Sequence, residues 1–278
     1  VNFVFSADFF ASEINGGGEL NDQEVISCLR AADQNIVTVH SEDLIPTFIE
    51  AHQDHKFIIS NFIKLPQQSK QLLQEHSYVI YEHDHKYLRR RNPGLFKDFI
   101  APETEIINSD FFKNAKAVLS QSAFHKSIIK KNLKLDNVIN LGGNLWADDV
   151  LNLLEDLSKK EKVSRCSVMD SNIPSKNTSL SIKFCLAKEL DYQLIKNSDH
   201  SGFLKELAGN DTLVFFPKTP ETLSRIVVEA RMTGMKVITN SLVGATHEDW
   251  FHLKGEPLIN KMREKRTEII TKIIGAFE

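Results

Sequence analysis

Short apolar runs recur along this chain, separated by stretches long enough to hold a helix, and this constrains the fold more than any other feature. Runs rich in β-branched and aromatic residues occur at 1–5, 36–39, 57–60, 78–81, 117–120 and 138–140. Helical periodicity fills the gaps at 19–32, 42–51, 67–75 and 122–131. Continuous apolar strands alternating with amphipathic helices predict a parallel sheet covered on both faces, which is an α/β, Rossmann-like unit. After Asn140-Leu141-Gly142-Gly143 an amphipathic stretch, 146–159, leads into the charged run Lys159-Lys160-Glu161-Lys162, and the alternation restarts. Strands are expected at 163–169, 192–195, 212–216 and 236–239, with helices at 179–189, 201–207 and 221–233. The 278 residues thus divide into two doubly wound domains, 1–143 and 144–278, facing across a cleft. The tail from Glu256 to Phe277 reads as final helix that packs back on the first domain.

Composition narrows the function. With 34 Lys plus Arg against 37 Asp plus Glu, the formal charge of −3 gives no global field to attract nucleic acid or an anionic membrane surface. No apolar run approaches the roughly 20 residues of a membrane helix. Three cysteines, Cys28, Cys166 and Cys185, are widely spaced and lack any CxxC, which argues against a disulfide framework or zinc knuckle and for a reducing cytoplasm. Val1–Ser6 reads as a first strand, so no export signal is expected there.

Two segments concentrate the chemistry. Only 12 glycines occur, yet Gly16, Gly17 and Gly18 stand together between the first strand and a helix. A strand, a Gly-rich turn and a helix N-terminus suit a phosphate or a sugar, because free backbone N–H groups converge there. The GxGxxG spacing of a dinucleotide fingerprint is absent. The second segment is 215–230, Phe-Phe-Pro-Lys-Thr-Pro-Glu-Thr-Leu-Ser-Arg-Ile-Val-Val-Glu-Ala. On one helix Glu221 and Glu229 would lie ~12 Å apart along the axis and ~80° around it, able to contact two parts of an elongated ligand. Glu229, flanked by apolar residues, needs a partner, for which ribose hydroxyls and Arg225 are the candidates.

The Glu-x7-Glu pair after an apolar strand, followed by Gly234 and a further strand, resembles the donor-binding segment of retaining GT-B glycosyltransferases of family 4. The Gly-rich loop, His83-Asp84 after an apolar strand, Ser120 and the 140–143 turn extend the resemblance over most of the chain. It implies a GT-B-like fold and a nucleoside diphosphate sugar as co-substrate, held mainly by the C-terminal half, with the acceptor held by the N-terminal half. By the same resemblance Glu221 and His83 face the transferred sugar and Glu229 takes the nucleotide ribose. Lys176, Thr222, Leu223, Ser224 and Arg225, with Gly16–Gly18, would bind the rest of the donor. Two departures stand out. Ser171 replaces the family's diphosphate-binding arginine, leaving Arg225 or Arg165 to substitute, and Glu221-Thr222-Leu223-Ser224 replaces Glu-Gly-Phe-Gly.

The cluster Glu82-His83-Asp84-His85-Lys86 also allows a metal reading, since His83 and His85 would share a face in an extended segment. The pair lacks a defined third ligand, so no metal is expected. The basic run Lys86–Arg91 suggests at most a peripheral contact with the inner face of a membrane, or a glycan or lipid-linked acceptor. A nucleotide-sugar epimerase of the same fold and a non-catalytic sugar- or nucleotide-binding module are the alternatives to a transferase.

Overall fold

The computed structural model describes residues 1–14, 16–196 and 199–278. The chain forms two compact units: Val1–Leu145 with Arg266–Glu278, and Trp146–Lys265. In the first unit β1 (Asn2–Ala7), α1 (Gly17–Ala31), β2 (Asn35–His40), α2 (Pro46–Ala51), β3 (Lys56–Ile59), α3 (Gln67–Leu73), β4 (Tyr78–Tyr81), α4 (Ser109–Asn114), β5 (Ala117–Ser120), α5 (Ala123–Leu133) and β6 (Val138–Asn140) follow in order. The six strands are parallel in the order β2-β1-β3-β4-β5-β6, so the direction of winding reverses beside β1.

Alternation along each strand explains why the runs are mostly apolar. Val4, Phe57, Ile59, Ile80 and Val118 face one layer with Leu44, Ile49, Phe112 and Ile129. Phe3, Phe5, Ile58, Val79 and Leu119 face the other, with Val25, Ile26 and Leu29 of α1 and Ile269, Ile270 and Ile273 near the C-terminus. With both faces buried, the central strands β3, β4 and β5 are largely apolar on both sides, and the exposed polar positions fall on the edge strand β2, at Asn35 and Thr38, and at the start of β1.

The second unit contains α6 (Asp148–Ser158), β7 (Val163–Met169), α7 (Thr178–Ala187), β8 (Tyr192–Ile195), α8 (His200–Ala208), β9 (Asn210–Phe215), α9 (Arg225–Met232) and β10 (Lys236–Thr239). Its four parallel strands run β10-β9-β7-β8. Leu213 and Phe215 pack with α6, α8 and α9 on one face, while Cys166, Val168 and Val214 meet Cys185 and Ile182 of α7 on the other. The last helix, α10 (Glu256–Gly275), contributes its residues to Lys265 to this unit and those from Arg266 onward to the first.

Each expected strand is present, but two helices start late. The helix expected from 42 begins at Pro46, whose fixed φ and missing N–H suit a first helical turn. The helix expected over 221–233 begins only at Arg225. Ser224, at φ 78°, interrupts it, and Glu221 instead pairs with the chain at Val243, donating its N–H to the Leu242 carbonyl at 2.8 Å. The helical separation calculated for Glu221 and Glu229 therefore does not apply.

Candidate functional site

In the first unit, the C-terminal ends of β1, β3, β4 and β5 meet the start of α1, where open α/β sheets bind ligands outside the strand ends. Gly16 is the residue before the first helical turn, and Gly17 and Gly18 open α1. A Cβ on Gly18 would lie 3.6 Å from the His83 ring and 3.7 Å from Asn61 Nδ2, so the glycine turn, His83 and Asn61 share one spot. A Cβ on Gly16 would meet Glu19 Oε2 at 2.1 Å, because this carboxylate folds back over the turn. A negative group at the positive end of α1 disfavours phosphate there and leaves a hydroxyl-bearing ligand as the better fit.

His83 is held on both ring nitrogens. Its Nε2 lies 2.6 Å from Asp22 Oδ1 and its Nδ1 2.9 Å from Gln121 Nε2, with the ring stacked on Tyr81 at 5.0 Å. Asp22 is fully buried on α1 and its second oxygen accepts from the Ser60 hydroxyl at 2.6 Å. Asp22 and Gln121 were not foreseen from the sequence; the available signal was a carboxylate, beside Asn21, on the face of α1 that carries Val25, Ile26 and Leu29.

The neighbouring residues turn away. His85 is buried and bonds Tyr87 Oη at 2.9 Å, and burial lowers it to about 4. His83 and His85 therefore do not share a metal-binding face, and among the described residues no group of three or more His, Cys, Asp or Glu could hold a metal ion. Lys86, expected in an open basic patch, is buried with its ammonium 2.6 Å from Glu82 and 2.7 Å from Asp84. Arg91 pairs with Asp84 at 3.1 Å and Arg90 with Glu105 at 3.2 Å. The basic run is thus largely neutralised within the fold. Burial raises Glu82 to about 8 against the opposing pull of Lys86, and Asp84, although also buried, is drawn below its ordinary range by Lys86 and Arg91.

In the second unit, Lys176 follows β7 in a short turn and reaches across to Glu221, with Nζ 2.8 Å and 3.0 Å from the two carboxylate oxygens. Glu221, Thr222, Leu223 and Ser224 then lead into α9. The Leu223 side chain is fully buried, and Ser224 has a buried hydroxyl without a hydrogen-bond partner among the described residues. Ser171, at the position of the resembled family's arginine, accepts from the Ile173 N–H at 3.2 Å and so closes a local turn. Arg165 is tied to Asn210 at 2.8 Å and to Gln193. Arg225 packs its guanidinium 4.3 Å from the Trp146 ring centroid, with Nε 3.7 Å from Glu229 Oε1.

Glu229 is 3% exposed, and its Oε1 accepts from Trp146 Nε1 at 3.0 Å and meets His200 Nε2 at 3.1 Å. Burial disfavours its charge, but His200, Arg225 and Trp146 together outweigh that and hold the carboxyl below its ordinary value. Trp146 and His200 were not foreseen from the sequence. The structure thus brings Gly18 beside His83 in one unit, and Lys176 beside Glu221 and Arg225 beside Glu229 in the other.

No protein-family model matches the sequence. No curated protein matches it either. Solved structures do. Anabaena HepE in complex with UDP and glucose is 12% identical, with 97% of this chain and 92% of that one covered at a TM-score of 0.51. An alpha-glucosyltransferase in complex with UDP and a 13-mer DNA is 11% identical, with 98% and 91% covered at 0.53. The alpha,alpha-trehalose-phosphate synthase (UDP-forming) of Burkholderia vietnamiensis is 8% identical, with 99% and 95% covered at 0.55. These neighbours are GT-B glycosyltransferases, and the two parallel-sheet units of this chain have the GT-B fold.

Proposed function

We propose that this chain transfers a sugar from a nucleoside diphosphate sugar to an acceptor hydroxyl with retention at the anomeric carbon, as glycosyltransferases of family 4 do. The observation that carries the reading is the convergence of Lys176 and Glu221, 45 residues apart in sequence, immediately before α9. A cation, a carboxylate and the amides of a helix start are groups that suit a diphosphate sugar within one short segment. The complexes of the structural neighbours with UDP make a uridine diphosphate sugar the first donor to test.

In this reading the second unit holds the donor. Loss of the diphosphate leaves an oxocarbenium-like sugar and growing negative charge on the leaving oxygens. Lys176, Arg225 and the backbone amides of Leu223 and Ser224 stabilise that charge. Glu221 takes a hydroxyl of the transferring sugar and Glu229 the ribose. Thr222 joins the residues that bind the donor. In the first unit the Gly16–Gly18 turn and His83 present a surface to hydroxyl-bearing ligand. No nucleophile and no metal are assigned, and the reaction is placed in the cytoplasm. Among the described residues no helix is long and apolar enough to cross a membrane.

Incubation with a panel of nucleotide sugars, reading released nucleoside diphosphate with and without candidate acceptors, tests the proposal. Acceptor-dependent release with the α-configured donor giving an α-linked product supports it. Conversion of the donor to its epimer points to an epimerase, and binding without release points to a non-catalytic module. An inverted product would remove the retaining assignment.

A further inference from the structure

We infer that Asp22 and Gln121 are positioning residues that lock His83 as the neutral imidazole with its proton on Nε2, so that His83 serves as a fixed wall and not as a proton carrier. The tautomer follows from the partners. Gln121 Nε2 lies 3.2 Å from the Glu82 backbone carbonyl, which can only accept, so that atom is the amide nitrogen and its hydrogens are donated. Its other hydrogen faces His83 Nδ1 at 2.9 Å, and Nδ1 therefore has to be bare. The remaining nitrogen, Nε2, then carries the hydrogen and donates it to Asp22 Oδ1 at 2.6 Å.

The supports are themselves fixed. Asp22 accepts from the Ser60 hydroxyl at 2.6 Å, and the Gln121 backbone N–H reaches His125 Nδ1 at 3.3 Å while His125 Nε2 donates to the Asp84 carbonyl at 3.0 Å. Tyr81 stacks beneath the ring, and Gly18 leaves its Cγ–Nδ1 edge uncrowded. Both ring nitrogens are committed to the bonds with Asp22 and Gln121. What the ring offers a ligand is shape and its carbon edge. The hydrogen-bonding group beside it is Asn61, whose Nδ2 would lie 3.7 Å from a Cβ on Gly18.

Long-range proton–nitrogen NMR of the 15N-labelled full chain tests the lock directly, with His83→Phe identifying the resonance. The wild-type ring should show a protonated Nε2 and a bare Nδ1. Gln121→Glu replaces the donor with an acceptor and should move a proton onto Nδ1. A wild-type ring protonated on Nδ1, or a Gln121→Glu spectrum unchanged at His83, overturns the inference, and the wild-type spectrum decides even where the variant does not fold. The place of the clamp in the reaction rests on the glycosyl-transfer reading, whereas the tautomer does not. In initial-rate assays Asp22→Asn should lower kcat on the order of 10–100-fold with a smaller change in donor KM, the size expected when an oriented group loses its support. The predicted tautomer with unchanged kcat would refute the positioning role while leaving the transfer reading intact.

Discussion

Trp146 donates its indole N–H to Glu229 Oε1 at 3.0 Å, joining the first residue of the second unit to the buried face of α9 across 83 positions of sequence. His200 and Arg225 meet the same carboxylate oxygen. A carboxylate that would otherwise be costly to bury is thereby kept charged and oriented.

Replacing Glu229 tests what that orientation serves. Glu229→Gln keeps an oxygen for the Trp146 N–H and should preserve the fold while weakening the binding of bare nucleoside diphosphate by about 1.5–3 kcal/mol, the cost of losing a charged acceptor. Titration calorimetry beside thermal unfolding measures both. Affinity equal to wild type in a folded variant would leave Glu229 as a purely structural partner of Trp146, His200 and Arg225.

Glu221→Gln should spare the nucleotide and depress turnover, because the proposed contact to the sugar matters most as the sugar reorganises toward the transition state. Lys176 loses its ionic partner in this variant. The pair is partly solvated, and its loss should cost no more than about 1 kcal/mol of stability. Normal initial rates would take Glu221 out of the site.

Ser224→Gly should stabilise the protein by about 1 kcal/mol. Ser224 sits at φ 78° and ψ 87°, a left-handed conformation in which a Cβ is strained, and its hydroxyl is buried without a partner among the described residues. Glycine removes both penalties at the position where the resembled family carries glycine. A lower melting temperature for the variant would show that Ser224 is supported in a way these two features do not capture.

The buried cluster below His83 should give stability an inflection with pH. Burial raises Glu82 from 4.5 to about 8, so between those values the folded state holds a proton that the unfolded chain has lost, and stability falls as pH rises. Burial lowers His85 from 6.5 to about 4 and His125 well below 6.5, so below 6.5 the unfolded chain binds protons that the folded state refuses, and stability rises with pH there. Two histidines outweigh one glutamate up to about pH 6.5, after which the Glu82 contribution prevails and leaves a falling limb shallower than the roughly 1.4 kcal/mol per pH unit of one whole proton. Denaturant unfolding of Glu82→Gln against wild type should show that limb flattened between pH 6.5 and 8. An identical slope in the two proteins would mean that Glu82 is ionised in the fold.

Chelation should leave transfer activity unchanged, since the proposed charge stabilisation uses Lys176, Arg225 and backbone amides. Activity abolished by EDTA and restored by a divalent cation would require a metal site that the His83–His85 segment does not provide, because His85 is turned toward Tyr87.

The ten strands and the two-sheet α/β architecture were legible in the sequence because each rests on a local cause. Runs such as 57–59 and 117–119 are apolar at every position, and a strand buried on both faces uses such a run. The glycine triplet likewise announced a turn into a helix. Sequence also placed Lys176, Glu221, Arg225 and Glu229 in segments following strands, without fixing what each would touch.

Contacts between distant residues decided the rest. Asp22 reaches His83 across 61 positions and Gln121 reaches it across 38, so no local pattern could reveal that both ring nitrogens are taken. Lys86 looked like part of a solvated basic run, but the fold buries it between Glu82 and Asp84, where an ammonium is tolerated because the ionised Asp84 and the Glu82 carboxyl group accept its hydrogens. Helical periodicity likewise carried α9 back to Glu221, whereas the backbone conformation at Ser224 and the pairing of Glu221 with the 242–244 segment start it four residues later. Periodicity reports which face of an element is apolar. Which polar groups meet at the ends of those elements depends on how the strands are ordered, and only the tertiary structure sets that order.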